Sequence, residues 1–415
     1  MNNRQLIILG NGFDLHCGLK SNYESFFNHI ILINDSTSQC PRLRLINPGF
    51  WEALLFTYYE KFGIGTNKWC DIEAIIKDVL WLLCFGKSER LGEARSSIRY
   101  SAFQCIKDKR NPKYEFRSEP NDFVKCLIVE CYNLFSKRLQ ENENYTEEEL
   151  HNFLLRDIAQ ELHKLEISFC RYLHKQIKDN LIFYSLNAFN LLSDLTGNKK
   201  SFSGIEQILR SDYNENTRTS TFYTSSNGKH QLIERFDYLQ HVYVLSFNYT
   251  ALFDILNVDN PCKYTNVHGK LCNGNCNEDC HESNIIFGID DNEIKTQTIE
   301  QDLRLFSKTY RKMADTSSPI SILPPRGTYP IEIKFYGHSL NQADYSYFQS
   351  IFDYYDIYGN INVKLIFYYS DGYEQRDAIY NLINEYGSTL NNKDQGKNLM
   401  HKLLLENRIK IERID

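Results

Sequence analysis

The sequence predicts an α/β fold: a parallel sheet formed by the two ends of the chain and interrupted by a large helical insertion. Three observations predict it. Leu6-Ile7-Ile8-Leu9 is a short apolar block closed by Gly10, the pattern of a strand buried on both faces. Apolar residues then recur at helical spacing, as in Leu154, Ile158, Leu162, Leu165, Phe169 and Leu173. Past residue 240 the text returns to β-rich blocks, several followed by glycine or by helix-like segments.

Taken in order, the opening block is the first strand. Trp51 to Phe62 and Ile72 to Phe85 read as helices, and the long periodic stretch through Leu173 is a further helix. Thr146 followed by Glu149 supplies its capping box. Residues 211–231, rich in Ser, Thr, Asn and charge, read as an exposed loop. Strands are then expected at His241 to Phe247, Asn284 to Phe287, Ile331 to Tyr336 and Asn362 to Tyr368. The expected division is a nucleotide-binding domain from 1–30 plus 236–415 and an inserted helical domain over 31–235.

Composition narrows the function classes. The 415 residues exceed one ordinary core, and 42% hydrophobic content with 28 Tyr and 26 Phe gives ample apolar surface for folding. A net charge of −6 excludes a whole-protein field that draws the chain onto polyanions. No apolar run approaches the roughly 18 residues of a bilayer span, and the N-terminal block is far shorter than a signal-peptide core. A cytoplasmic protein is expected, and most of the 12 Cys, scattered through apolar text, suit buried thiols in a reducing compartment.

The chemistry gathers directly after the β-rich blocks. Gly10-Asn11-Gly12-Phe13-Asp14 follows the first strand, with Gly18 further on. Glycines there let backbone approach a pyrophosphate at a helix N-terminus; they equally suit a tight strand-to-helix turn with no ligand. Ser246-Phe247-Asn248-Tyr249-Thr250 ends a later strand, and Asn266-Val267-His268-Gly269 follows. Asn248 can hold a water or a ribose hydroxyl, and His268 can exchange a proton near neutral pH; each can also be a cap or a packing residue. Tyr336-Gly337-His338-Ser339 to Asp344 is the last station. There Gly337 and Ser339 can meet a ribose or phosphate, while Ser339 or Asp344 can simply cap a helix. Strand ends on one edge of a parallel sheet are where Rossmann-like folds collect ligand groups.

These residues resemble the abortive-infection AbiH family, bacterial proteins associated with defence against phage. The opening signature Gly10-Asn11-Gly12-Phe13-Asp14-Leu15 with Gly18, Leu19 and Tyr23 is similar to the family's. So are Trp69-Cys70-Asp71-Ile72-Glu73, Phe247-Asn248-Tyr249-Thr250, Val267-His268-Gly269 with Phe287-Gly288, and Tyr336-Gly337-His338-Ser339-Leu340. More distantly, the same anchors resemble sirtuin-type NAD-binding domains, which implies a Rossmann-like, sirtuin-like sheet. The resemblance implies that Gly10 and Gly12 border the phosphates of NAD, that Asn248 holds a ribose hydroxyl or the attacking water, and that His268 is the proton acceptor. Gly337 and Ser339 are implied beside the adenosine half, with Asn11, Phe13, Asp14, Gly269 and His338 completing the nucleotide-binding set. Asn11, Asp14 and Thr250 depart from the usual residues at their places. The implied reaction is cleavage of the nicotinamide–ribose bond through an oxocarbenium-like transition state, by an antiphage abortive-infection effector that depletes NAD.

Other readings stay open. Cys272, Cys276 and Cys280 at four-residue steps, with His281 and the spare Cys262, can enclose a structural zinc; free surface cysteines are the plainer reading. The run from Lys107 to Arg117 mixes basic and aromatic residues, so a nucleic-acid-acting toxic effector is a second class. A non-catalytic adenine-nucleotide sensor is a third. Trp69, Asp71 and Glu73 can bring a carboxylate to the crevice or merely form a cap and a salt bridge. Expected partners are NAD or a related nucleotide, a second copy of the chain, and an activator from the phage or the defence system; a membrane is not among them, and nucleic acid stays open.

Overall fold

The computed structural model describes residues 4–30, 32–34, 42–44, 48–62, 72–88, 90–94, 96–112, 122–197, 239, 241–255, 262–271, 284–290, 301–313, 323–327, 330–370, 375–390 and 396–414. Two compact units share the chain. The first comprises Met1–Ser21, Cys170–Ile285 and Thr316–Asp415, the second Asn22–Phe169 and Ile286–Asp315. These divisions fall elsewhere than the 30/31 and 235/236 boundaries read from the sequence, and one of them lies inside a single continuous helix, Glu147–Thr196.

The first unit is built on a six-stranded sheet: β1 Arg4–Leu9, β2 Val242–Ser246, β3 Lys263–Asn266, β4 Ile331–Tyr336, β5 Val363–Tyr369 and β6 Ile409–Arg413. Every neighbouring pair is parallel, and the order is β3-β2-β1-β4-β5-β6. That is the order of doubly wound nucleotide-binding sheets, in which the chain reverses its direction of travel between β1 and β4. Leu6, Ile7, Ile8 and Leu9 are each fully buried, as expected of a central strand covered on both faces. On one face Phe335 of β4 stacks on Phe367 of β5 at 4.4 Å, and Phe348, Phe352, Ile383 and Leu403 from the following helices close the core.

The second unit is mainly helical, with two short antiparallel hairpins, Leu32–Asn34 with Arg42–Arg44 and Lys87–Ser88 with Gly92–Glu93. Helices Phe50–Phe62 and Ile72–Phe85 form where the apolar periodicity predicts them. The capping box is present: Thr146 N–H donates to Glu149 Oε2 at 2.8 Å, and Glu149 N–H donates to Thr146 Oγ1 at 3.3 Å. All six periodic residues from Leu154 to Leu173 are buried. Among the described residues no helix is long and apolar enough to cross a membrane.

One expected strand is corrected. Residues 284–287 do not join the sheet. The backbone of Phe287 is satisfied by side chains instead: its N–H donates to Glu166 Oε1 at 2.7 Å, and its carbonyl accepts from Arg311 Nη1 at 2.8 Å. A buried segment must bond its peptide groups somewhere, and side chains serve as well as a ladder.

Candidate functional site

In the sheet unit the strand ends are level. Leu9 is in register with Ser246 on one side and Tyr336 on the other, and Ser246 with Asn266. Asn11, Asn248, His268 and His338 therefore each lie two residues past one row of four adjacent strands. The sequence-predicted stations meet at the carboxyl edge of one sheet, beside the point where strand order reverses.

The glycine turn after β1 packs backbone to backbone on the end of β4. Gly10 N–H donates to Tyr336 O at 3.0 Å and Gly12 N–H to Gly337 O at 2.8 Å. A Cβ on Gly10 would stand 2.3 Å from His338 Cα, and one on Gly12 2.6 Å from Gly337 Cα. Glycine is needed here for that approach, and with Phe13 N–H bonded to Gly10 O at 2.9 Å, the amides of Gly10, Gly12 and Phe13 are all engaged inside the protein. Asn11 is half-buried and accepts from Ser21 Oγ at 2.5 Å.

Behind the turn lies a buried carboxyl. Asp14 accepts from Thr250 Oγ1 at 2.6 Å and from Tyr184 OH at 3.0 Å. Burial pushes its pKa up to about 6, with the two hydroxyls opposing. Tyr184 comes from the last turns of helix Glu147–Thr196, a position the strand-end pattern gave no means of finding.

The turn after β2 is pinned by Asn266, whose Nδ2 donates to Asn248 O at 2.7 Å and Thr250 O at 2.8 Å. The side chain of Asn248 is different. It is 3% exposed, and neither Oδ1 nor Nδ2 has a hydrogen-bond partner. Leaving a buried polar group unsatisfied costs roughly 1–3 kcal/mol, so such a carboxamide is suited to hold a water or a ligand.

After β3, His268 is buried, and its Nε2 lies 2.8 Å from Asp344 Oδ1. Gly269 follows with φ +82, where a Cβ would meet Asn284 O at 1.6 Å. Asp344 Oδ2 lies 3.3 Å from His338 Nε2, and His338 Nδ1 accepts from Leu340 N–H at 2.9 Å. Both ring nitrogens of His338 are thus held by the protein itself. The ring of Phe247 stands edge-on to both imidazoles, 5.4 Å from His268 and 4.5 Å from His338. Ser339 is exposed. Asp344 opens helix Tyr345–Tyr355, yet its side chain makes no capping bond. The helix-cap reading of this residue is corrected: its oxygens point to two histidines.

Several other singled-out residues belong to the helical unit. Glu73, in the helical unit, pairs with buried Lys308 at 2.7 Å, which is the salt-bridge reading of that motif. Gly288 is required because a Cβ there would meet Phe306 O at 2.4 Å. In the basic run, Lys107 closes helix Ile98–Lys107 and Asp108 pairs with Arg110; residues 113–117 lie outside the described residues. Trp69, Asp71, Cys272, Cys276, Cys280 and His281 also lie outside them. Cys262 is buried, and burial pushes its thiol up to about 12.

Searches of curated proteins and of solved structures returned no match. The model of the family described as Bacteriophage abortive infection AbiH matches residues 6–369, a span that holds the glycine turn, Asn248, His268, His338 and Asp344. The chain therefore belongs to the bacteriophage abortive infection AbiH family, and its role lies in abortive infection.

Proposed function

We propose that this protein is an antiphage abortive-infection effector that binds NAD and hydrolyses its nicotinamide–ribosyl bond. The observation that carries the reading is the unbonded, buried carboxamide of Asn248 on the same sheet edge as the His268–Asp344 pair. Doubly wound sheets bind dinucleotides at this edge, and an amide with both atoms unsatisfied is suited to a ribose hydroxyl and a water.

In the reaction the bond between the ribosyl anomeric carbon and the pyridinium nitrogen breaks, and its electron pair leaves with nicotinamide. The oxocarbenium-like carbon takes the oxygen of a water that Asn248 positions. The water's proton passes to the His268 imidazole, then to solvent. Because the amides of Gly10, Gly12 and Phe13 are engaged, phosphate contacts at the turn come from Asn11 and from Gly337 with Ser339. Cys272, Cys276, Cys280 and His281 can also hold a structural zinc; equimolar zinc in the purified protein supports this and metal-free protein removes it.

The test is made in infected cells, where an activator is present. NAD and nicotinamide are followed by chromatography in cells carrying wild type, Asn248→Ala or His268→Ala. NAD loss and growth arrest with wild type, absent from both variants, support the reading. Arrest that survives in both variants removes these residues from catalysis. In purified protein, tight NAD binding without turnover favours the sensor class, and RNA or DNA cleavage without NAD binding favours the nucleic-acid class.

A further inference from the structure

We infer that Asp344 is the positioning residue of the site: it fixes the tautomer and orientation of His268 and stabilises the imidazolium that forms there. The inference rests on the reading above for the reaction, but its structural content does not.

A carboxylate at the first turn of a helix ordinarily accepts from the free N–H groups there. Asp344 forgoes that role. Its two oxygens go one to each of two imidazoles, His268 at 2.8 Å and His338 at 3.3 Å. The two rings are not equivalent. Leu340 N–H donates to His338 Nδ1, so the ring proton of neutral His338 sits on Nε2 and is directed at Asp344. Leu340 reaches that position with φ +57, a left-handed conformation that costs a leucine about 1 kcal/mol. Backbone strain of this kind persists where the surroundings impose it. A second proton on His338 would break the bond from Leu340, so His338 serves as a fixed donor that anchors Asp344.

His268 has the other role. With Asp344 accepting at Nε2, the neutral ring carries its proton there and its lone pair on Nδ1. When Nδ1 takes a proton, the positive ring faces a carboxylate at hydrogen-bond distance. Phe247 and Tyr347 stand edge-on to the ring at 5.4 and 5.7 Å, and these apolar surroundings strengthen the pairing. The titratable groups facing His268 include Asp344, Tyr347 from helix Tyr345–Tyr355, and His338 from the end of β4 by way of Asp344.

The experiment uses the full chain with ¹⁵N-labelled histidine, ring signals being assigned with His268→Gln and His338→Gln. In wild type, the His268 signals should report an Nε2-protonated ring with the lone pair on Nδ1. In Asp344→Asn that preference should be lost, and the midpoint of His268 protonation should fall by about one pH unit or more. His338→Gln, which leaves the His268–Asp344 pair in place, should keep the tautomer. Circular dichroism verifies folding, and should Asp344→Asn unfold, Asp344→Ser carries the same readout. An unchanged tautomer and midpoint in a folded Asp344 variant overturn the inference. Where wild type turns over NAD, the Asn variant should lose about 10- to 100-fold in kcat with KM little changed, and Asp344→Glu should recover part. Absence of turnover in wild type counts against the reaction, whereas the nitrogen signals judge Asp344 by themselves.

Discussion

Gly12 and Gly337 touch through their backbones across the point where the sheet reverses: a Cβ on Gly12 would lie 2.6 Å from Gly337 Cα, and one on Gly337 2.5 Å from Phe13 N. Neither neighbour is a side chain that can rotate away. Gly12→Ala should therefore destabilise the chain by about 2–4 kcal/mol. Gly337→Ala, which adds the strain of φ +68, should cost about 1 kcal/mol more. Urea unfolding of both variants measures this. Wild-type stability in either would mean that the two strand ends do not meet.

Asp14 gives a pH signature. Its carboxyl titrates at about 6 in the folded chain against 3.8 for the free group, because burial disfavours the charge. Below pH 3.8 both states hold the proton and the stabilisation is complete. As pH rises to 6 the unfolded chain releases its proton first, so the contribution is lost, at most about 3 kcal/mol. Asp14→Asn should remove this component, because Thr250 and Tyr184 can each donate or accept toward an amide. The variant's melting temperature should exceed that of wild type at pH 7.5, and the difference should shrink toward pH 4. Parallel curves across that range would reject the raised pKa.

How far these features were legible depends on distance along the chain. The strand ends announced themselves because β1, β2, β4 and β5 are apolar and the polar stations abut them. β3 escaped notice because Lys263–Asn266 is only four residues and largely polar. β6 is a short edge strand in which Ile409 is buried but Ile411 is exposed, so it lacks the apolar block of a central strand. Asp344 reads locally as one of two candidate caps, with Ser339, because its context is a helix start, whereas its partner His268 is 76 residues away. Tyr184 meets Asp14 across 170 residues, and no local spacing encodes such a contact. The Phe287-Gly288 motif is held within the helical unit by Glu166 and Arg311, whose positions 121 and 24 residues away no local spacing encodes.

That last cluster makes a prediction of its own. Glu166 is fully buried and grips Arg311 through both oxygens, at 2.6 and 2.8 Å. Glu166→Gln removes the charge and turns an NH₂ toward donors, which should cost about 3–5 kcal/mol in thermal or urea unfolding. The double variant Glu166→Met with Arg311→Met should recover much of that loss, since it leaves no unpaired charge. A double variant as unstable as the single one would show that the Phe287 backbone depends on this carboxylate more than the ion pair does.

The sharpest separation of function from folding lies at Asn248. A packing residue would lose stability when replaced, but this carboxamide has two unbonded polar atoms in a buried setting. Asn248→Leu, close in shape and without polar atoms, should therefore leave the stability of the ligand-free chain unchanged or raise it slightly. The same change should remove the response to nucleotide. NAD in excess should raise the melting temperature of wild type, as any ligand of the native state does, and leave that of Asn248→Leu unmoved. Differential scanning fluorimetry with and without NAD reads both effects in one plate. A leucine variant less stable than wild type would assign the amide a structural role, and a variant that still responds to NAD would place the ribose contact elsewhere on the sheet edge.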